Sequence, residues 1–439
     1  MKKDQSGWIS LVLYALVVLS LYLTWRILIV PSNTVTMQPV NPGSPTTPVA
    51  PSNVKSLEDI FKPHQMPVHT ESDTYVTQSP EIMTDASEFL TKWKMKDVAF
   101  QMVYPETSYK DLLLGTGRVE IIFPSFIYLG SLSHYFDSLP EELYEHHISR
   151  ILISINPEDP IYLTSDETRN VYTARRPEAS MNPLISLYSQ NQSEFQLSDA
   201  YLFEHGVTLL PRHSVSAKSM VYLVEKQPNS FFINYLFDDT TELRDDSTDV
   251  VTAYSDNMSE LTINRDTGVL YYHRNSLDPV TLTPYEQVRD GFHFLKFIDT
   301  WTQSSYFSGF DEDTSEATFY RFVEGLPIFN SMDRGVIKIE MGNTHPLKIQ
   351  YPTEVIQTPL TDREEIIDLP PTDEVISRLM NRGFDFNDFQ DMQIGYDWKS
   401  SEESTRMAVL TPRWFVKIRG SWRSVESWLV LMEETEHGL

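Results

Sequence analysis

Apolar positions along the chain form one long unbroken run and, after it, short alternating or helical stretches. Residues 8–30 read WISLVLYALVVLSLYLTWRILIV, with Arg26 their only charge. The uncharged part, 8–25, is 18 residues long, close to the ~20 that cross a hydrocarbon core of ~30 Å. It is apolar on every face, which disfavours a core helix of a globular domain. Trp8 and Trp25 bracket it as interfacial anchors do. The pattern predicts a transmembrane signal-anchor helix over 8–30. It stays uncleaved, because its apolar core is long and no small-residue site follows it. Lys2 and Lys3 favour a cytoplasmic tail at 1–7 and an extracellular C-terminal body, and Arg26 can snorkel to the outer head groups.

Residues 31–54 hold six prolines among Thr, Ser and Asn and read as an extended, polyproline-like linker. Beyond it the periodicity changes to that of a mixed fold. In a first region, 55–212, residues 68–78 are predicted as a strand. Residues 80–93 are predicted as a helix with Ser79 at the N-cap and Pro80 in the first turn. Residues 120–127 and 148–155 are β-rich, with a helical turn expected at 141–147. Hairpins are predicted at 261–273, across Asp266-Thr267-Gly268, and at 336–351, across Gly342-Asn343. A helical pattern follows each, at 284–301 and 371–382. The first has Val288, Phe292, Leu295, Phe297 and Ile298 near helical spacing, and the second places Val375, Ile376 and Leu379 on one face. Two strands then a helix therefore occur twice, about 75 residues apart, which suggests similar units at 213–305 and 306–439. Two last strands are expected at 408–410 and 414–418, with a turn at Arg419-Gly420.

Composition narrows the functions. Hydrophobic residues make up 41% and charged residues 22%, a globular balance. The 62 acidic residues outnumber the 35 basic ones, for a formal charge of −27. Residues 1–30 carry +2, so the body carries −29, which repels phosphate backbones and argues against nucleic-acid binding. Cysteine is absent. Disulfides, thiolate metal sites and thiol catalysis are therefore excluded, which leaves His and carboxylates as the only metal ligands.

Catalytic constellations are missing. No G-x-S-x-G or H-E-x-x-H occurs. Ser216-Ala217-Lys218 lacks the S-x-x-K spacing. The run 311–316 puts Glu316 where an EF-hand loop needs Gly, and Phe322 where it needs Glu, so it and the acidic stretch 238–249 read as solvated loops. Trp398, Trp414, Trp422 and Trp428 could form a glycan platform, but they sit in β-like segments where aromatics more often fill a core. No catalytic, cofactor or metal residue is assigned.

Segments spread over the chain resemble one family. They are Leu19-Ser20-Leu21-Tyr22 in the apolar run, Ile60-Phe61-Lys62-Pro63-His64-Gln65, Tyr235-Leu236-Phe237-Asp238, Glu324-Gly325-Leu326-Pro327-Ile328-Phe329, Ile394-Gly395-Tyr396, Pro412-Arg413-Trp414-Phe415 and Gly420-Ser421-Trp422. In this order they are similar to the YycH family of membrane-anchored regulators from Gram-positive bacteria. The proline linker is longer than the family pattern. The resemblance implies an α+β fold: an N-terminal transmembrane helix, then three mixed α/β ectodomains with antiparallel sheets, the last two alike in topology. It implies a non-enzymatic protein without cofactors. Its partners would be a sensor histidine kinase (YycG, also called WalK) that controls cell-wall metabolism, and a YycI-like regulator.

With so short a cytoplasmic tail, influence on the cytoplasm must pass through the membrane helix or an outside partner. Ser20 and Thr24 lie four apart on one helix face, with Leu13, Leu16 and Val17 above them. Such hydroxyl residues hydrogen-bond across helices or back to their own carbonyls. This face is the candidate partner contact. An envelope enzyme acting on cell-wall polymer and a passive extracellular adaptor are the competing functions.

Overall fold

The computed structural model describes Val17 and residues 55–203, 206–299, 304–329, 332–401 and 403–437. Residues 1–52 and 53–439 are separate units. In the first, Val17 is helical and 49% exposed. Leu13, Leu16, Ser20 and Thr24, and the rest of the expected anchor and linker, lie outside the described residues. Among the described residues no helix is long and apolar enough to cross a membrane.

The second unit is α+β with antiparallel sheets. Nine strands come first: β1 (Met66–His69), β2 (Thr74–Thr77), β3 (Lys96–Val103), β4 (Arg118–Tyr128), β5 (His147–Ser154), β6 (Ile161–Thr164), β7 (Asn170–Arg175), β8 (Gln196–Phe203) and β9 (Gly206–Pro211). They form one sheet in the order β3-β7-β6-β5-β4-β1-β2-β8-β9, every pairing antiparallel. Alternation along β4 splits the sheet into two faces. Val119, Ile121 and Phe123 join the main core on one side, where the helix Pro80–Trp93 buries Ile82, Met83, Ala86, Leu90 and Trp93. Glu120 and Ile122 face the other side. There the sheet curls: Val207 of β9 packs with Leu152 of β5 and Val171 of β7, and Leu209 packs with Ile122 and Val76. A twisted sheet of this width curls rather than staying flat.

The remaining strands are β10 (Val215–Lys226), β11 (Arg244–Asp245), β12 (Val251–Ser255), β13 (Ser259–Asn264), β14 (Val269–Arg274), β15 (Ser304–Asp311), β16 (Glu316–Val323), β17 (Leu326–Phe329), β18 (Val336–Met341), β19 (Pro346–Pro352), β20 (Glu354–Pro359), β21 (Glu365–Leu369), β22 (Phe389–Ser400), β23 (Met407–Ile418) and β24 (Ser421–Ser424). Their main path runs β11-β12-β13-β14-β19-β18-β16-β17-β22-β23-β10-β20. β17 is the joint, antiparallel to β16 and parallel to β22. The two expected hairpins are present as β13–β14 and β18–β19, and they pair with each other through β14 and β19. The helix Pro284–Leu295 crosses this sheet, with Gly291 against Ile339 of β18. The helix Thr372–Met380 packs elsewhere, with β21 to β23 and the terminal helix Val425–His437.

Local readings are corrected at three points. Residues 68–78 are not one strand but the β1–β2 hairpin. Glu71, Ser72 and Asp73 form its turn, closed by Thr70 N–H and Oγ1 donating to Asp73 O at 2.9 and 2.8 Å. The helix begun at Pro284 ends at Leu295 rather than 301. Residues 408–418 are one strand, β23, although Pro412 interrupts the pattern. β10 pairs with Met407 to Leu410 and β24 with Phe415 to Ile418, so on that edge Pro412 falls between two ladders. A missing N–H costs least in such a gap. Ser79 does precede the helix at Pro80, but its side chain makes no capping bond.

Glu324 and Gly325 close the β16–β17 hairpin with φ of 50° and 77°, the positive pair of a type I′ turn. A Cβ at Gly325 would overlap the carbonyl oxygen of Gln78, which joins β2 to the helix Pro80–Trp93. Gly325→Ala is expected to destabilise the protein by about 2 kcal/mol, from left-handed backbone and enforced overlap together. A urea midpoint unchanged from wild type would show that the turn relaxes freely.

Candidate functional site

A buried ionic chain occupies the concave face of the first sheet. Arg150 stands opposite Ile122, one step from Glu120, in the β4–β5 register. Glu120 is 1% and Arg150 4% exposed. Arg150 NH1 donates to Glu120 Oε1 at 2.8 Å, and its Nε donates to Asp166 Oδ2 at 2.7 Å. Its NH2 donates to the Val207 carbonyl on β9. Asp166 also accepts from Tyr109 OH at 2.6 Å, and its amide donates to Ser149 Oγ at 2.9 Å. Glu120 Oε2 lies 3.1 Å from His69 Nε2, whose Nδ1 lies 2.9 Å from Thr74 Oγ1. One guanidinium thus ties β4, β5, β9 and the β6–β7 turn together.

Electrostatics hold Glu120, Arg150 and Tyr109 in fixed charge states. Burial alone would raise the Glu120 carboxyl, but Arg150 and His69 outweigh it and hold the group at about 2. Burial likewise opposes charge on Arg150, and Asp166 and Glu120 reverse it, so the guanidinium stays protonated more firmly than usual. Burial and Asp166 push the Tyr109 phenol up. His64, beside this chain, is lowered to about 4 by burial and by Arg150, against a bond to the Ile122 backbone, and is neutral at pH 7. Glu120, Arg150, Tyr109 and His64 are thus not poised to exchange a proton near neutrality, which fits a role in holding shape.

The open end of the curl is closed by β16, β17 and β22 to β24, leaving a cavity of about 330 Å³. Its walls include Arg150, Asp166, Glu167 and His64 on one side and Asp391, Lys417 and Trp422 on the other. A larger cleft of about 900 Å³ adjoins it and shares Gln65, Leu209, Phe322 and Gln393. Across the closure Thr208 Oγ1 donates to Asp391 Oδ1 at 2.9 Å, and Thr372 Oγ1 to the Pro211 carbonyl at 2.6 Å.

Of the residues weighed for chemistry, Trp422 lines this cavity, and Ser216, Lys218 and Trp414 line the adjoining cleft. Ser216 Oγ donates to Asp368 at 2.5 Å and Lys218 pairs with Glu364 at 3.1 Å, so neither activates the other. Asp311 caps its own hairpin turn by accepting from the amides of Asp313 and Thr314. Among the described residues no three His or carboxylate side chains are placed to hold a metal ion. Trp398 and Trp414 are buried in the core; Trp422 and Trp428 are half-buried. Trp414 Nε1 donates to Pro370 O, and Trp428 Nε1 donates to Val416 O. Sequence reasoning missed Glu120, Arg150 and Asp166. For Glu120 and Arg150 the signal was a single charge in each of two apolar β runs; Asp166, in the β6–β7 turn, carried no such signal.

Two family descriptions match the chain: "YycH protein, N-terminal domain" over residues 7–193, and "YycH protein, C-terminal domain" over 207–434. The architecture is similar to the crystal structure of YycH from Bacillus subtilis. The TM-score is 0.72 at 18% identity, over 86% of this chain and 98% of that one. The Bacillus megaterium YpeB C-terminal domain aligns over 45% of this chain and 91% of its own at 11% identity, with a TM-score of only 0.23. No curated protein sequence matches the chain.

Proposed function

The chain belongs to the YycH family, and from that premise we propose that it is a membrane-anchored accessory regulator of the YycG (WalK) sensor histidine kinase. The observation that carries this reading is the span of the two family matches, 7–193 and 207–434, over nearly the whole chain. Family membership points to a regulatory protein rather than an enzyme. In this reading residues 8–30 are a single-pass signal-anchor, residues 1–7 are cytoplasmic, and three α/β ectodomains lie outside the cell. The protein binds the kinase and a YycI-like partner through its membrane helix and its ectodomain. By binding one state of the kinase more tightly it shifts the balance between states, which is the only way a bound protein can move such an equilibrium. The helix contact is the face of Leu13, Leu16, Val17, Ser20 and Thr24. The acidic body, with a formal charge of −29, disfavours a nucleic-acid partner.

Co-purification from detergent-solubilised membranes tests this. Wild type is expected to retain a YycG-type kinase, and its failure to do so while other membrane partners are recovered would overturn the reading. Replacing both Ser20 and Thr24 by Leu keeps the anchor apolar and removes two hydroxyls. At about 0.6 kcal/mol for each interhelical bond, recovery should fall by a factor below about ten. Undiminished recovery would remove the helix-face assignment alone.

A further inference from the structure

The 330 Å³ cavity is lined by two ionic side chains, Glu167 and Lys417, that form no ion pair among the described residues. Glu167, at the β6–β7 turn, is exposed and makes no ion pair with a described residue. Lys417, on β23 in the opposite wall, is half-buried. Its cross-strand neighbour Asp391 is engaged by Thr208 Oγ1 and by the Met392 amide. Lys417 makes no ion pair with a described residue either, in a chain where acids outnumber bases 62 to 35. The two side chains line one cavity, one from the first sheet and one from the second, and form no ion pair with each other. Phe126, Phe322 and Trp422 line the same cavity. The Nδ1 of His64 is buried there without a hydrogen-bond partner. Arg150 and Asp166, by contrast, are saturated by each other and by their neighbours.

We infer that this cavity is a binding site for a small zwitterion, an α-amino acid or a dipeptide, whose ammonium meets Glu167 and whose carboxylate meets Lys417. A ligand bearing one charge leaves the other wall unpaired. A ligand bearing both, separated by a short backbone, satisfies each wall with a charge-assisted bond. The aromatic walls favour an apolar side chain on it. The volume sits at the small end of the range of about 300–1,000 Å³ typical of ligand sites, which excludes long peptides from the closed part. The inference does not depend on the regulatory role or on the membrane helix.

Isothermal titration of the full chain in detergent tests it, with glycyl-L-phenylalanine as the dipeptide probe and L-phenylalanine as the amino-acid probe. At least one is expected to bind saturably, and the tighter of the two identifies the size class. Capping the better probe should weaken binding about tenfold or more for each charge removed, as expected when a charge-assisted bond is lost. N-acetylation removes the ammonium, and C-terminal amidation removes the carboxylate. Glu167→Gln should abolish the penalty of acetylation and leave that of amidation. Lys417→Gln should do the reverse. Both variants are expected to keep the wild-type urea midpoint, because neither side chain pairs with another. No saturable binding of either probe up to on the order of 10 mM, a very weak affinity, would overturn the assignment. So would binding whose charge preferences survive both substitutions, since the site would then lie elsewhere.

Discussion

Replacing Arg150 by Met is expected to destabilise the protein by about 3–5 kcal/mol, the usual cost of removing one member of a buried ionic group. The cost does not come from the apolar side chain, which suits a β5 position between Ser149 and Ile151. It comes from Glu120 and Asp166, which keep their burial and lose their cation. The Val207 carbonyl loses its donor as well, so β9 loses its tie to β5. A urea denaturation series followed by tryptophan fluorescence measures the effect. Adding Glu120→Gln to Arg150→Met should recover part of the loss, because a neutral amide no longer needs the guanidinium. Such non-additivity marks residues that act as one network. Arg150→Lys should fall between, since one ammonium cannot serve Glu120, Asp166 and the Val207 carbonyl in the fixed geometry of a guanidinium. An Arg150→Met midpoint equal to wild type would show that the curl is held by apolar packing alone.

Acidification is expected to weaken the fold well above the range where carboxylates titrate. His64 and His134 are each lowered by burial, from an ordinary 6.5 to about 4, with Arg150 and Lys94 respectively adding to the effect. His64 Nδ1 and His134 Nε2 are both buried without partners. Between those two values the unfolded chain binds protons that the folded chain refuses. Stability therefore rises with pH across this window and falls as pH drops from about 6.5 to about 4. At ~1.4 kcal/mol for each unit, each histidine contributes on the order of 3 kcal/mol. His147, also lowered by burial, acts in the same direction. Glu120 acts later. Its folded value of about 2 lies below the ordinary 4.5, so its contribution is present above 4.5 and disappears as pH falls toward 2. Urea midpoints taken in steps from pH 7.5 to pH 4, roughly the histidine range, should trace the first limb. His64→Gln and His134→Gln should each flatten it. A midpoint constant between pH 7 and pH 5 would mean that both imidazoles protonate freely in the folded state.

How much of this was legible in the chain follows from the range of each interaction. The helix Pro80–Trp93, the β13–β14 and β18–β19 hairpins and the Arg419-Gly420 turn were readable, because each depends on side-chain period and turn chemistry within a few residues. The β1–β2 hairpin was not, since its turn is closed by Thr70 and Asp73 inside what looks like one β run. The single strand through Pro412 was not either. Whether a proline is tolerated depends on which neighbour occupies that edge, and those neighbours, β10 and β24, come from distant parts of the chain.

The candidate site shows the same division more sharply. Glu120 and Arg150 lie 30 residues apart, and Val207 lies 57 beyond Arg150. Nothing local marks them as partners. Glu167 and Lys417 meet one cavity only because β6–β7 and β23 close on it from two sheets. The ordered short motifs from Ile60 to Trp422 were enough to place the chain in its family, because the order of residues along a chain can be matched without knowing where they sit. By itself the sequence determined the family, the α+β class and the local elements, all of which rest on short-range periodicity and residue order. The tertiary structure alone decided which charges are buried together, which strands are neighbours and where a cavity remains. Those outcomes come from long-range packing, in which a residue's partner is set by the closure of the whole sheet and not by the residues beside it.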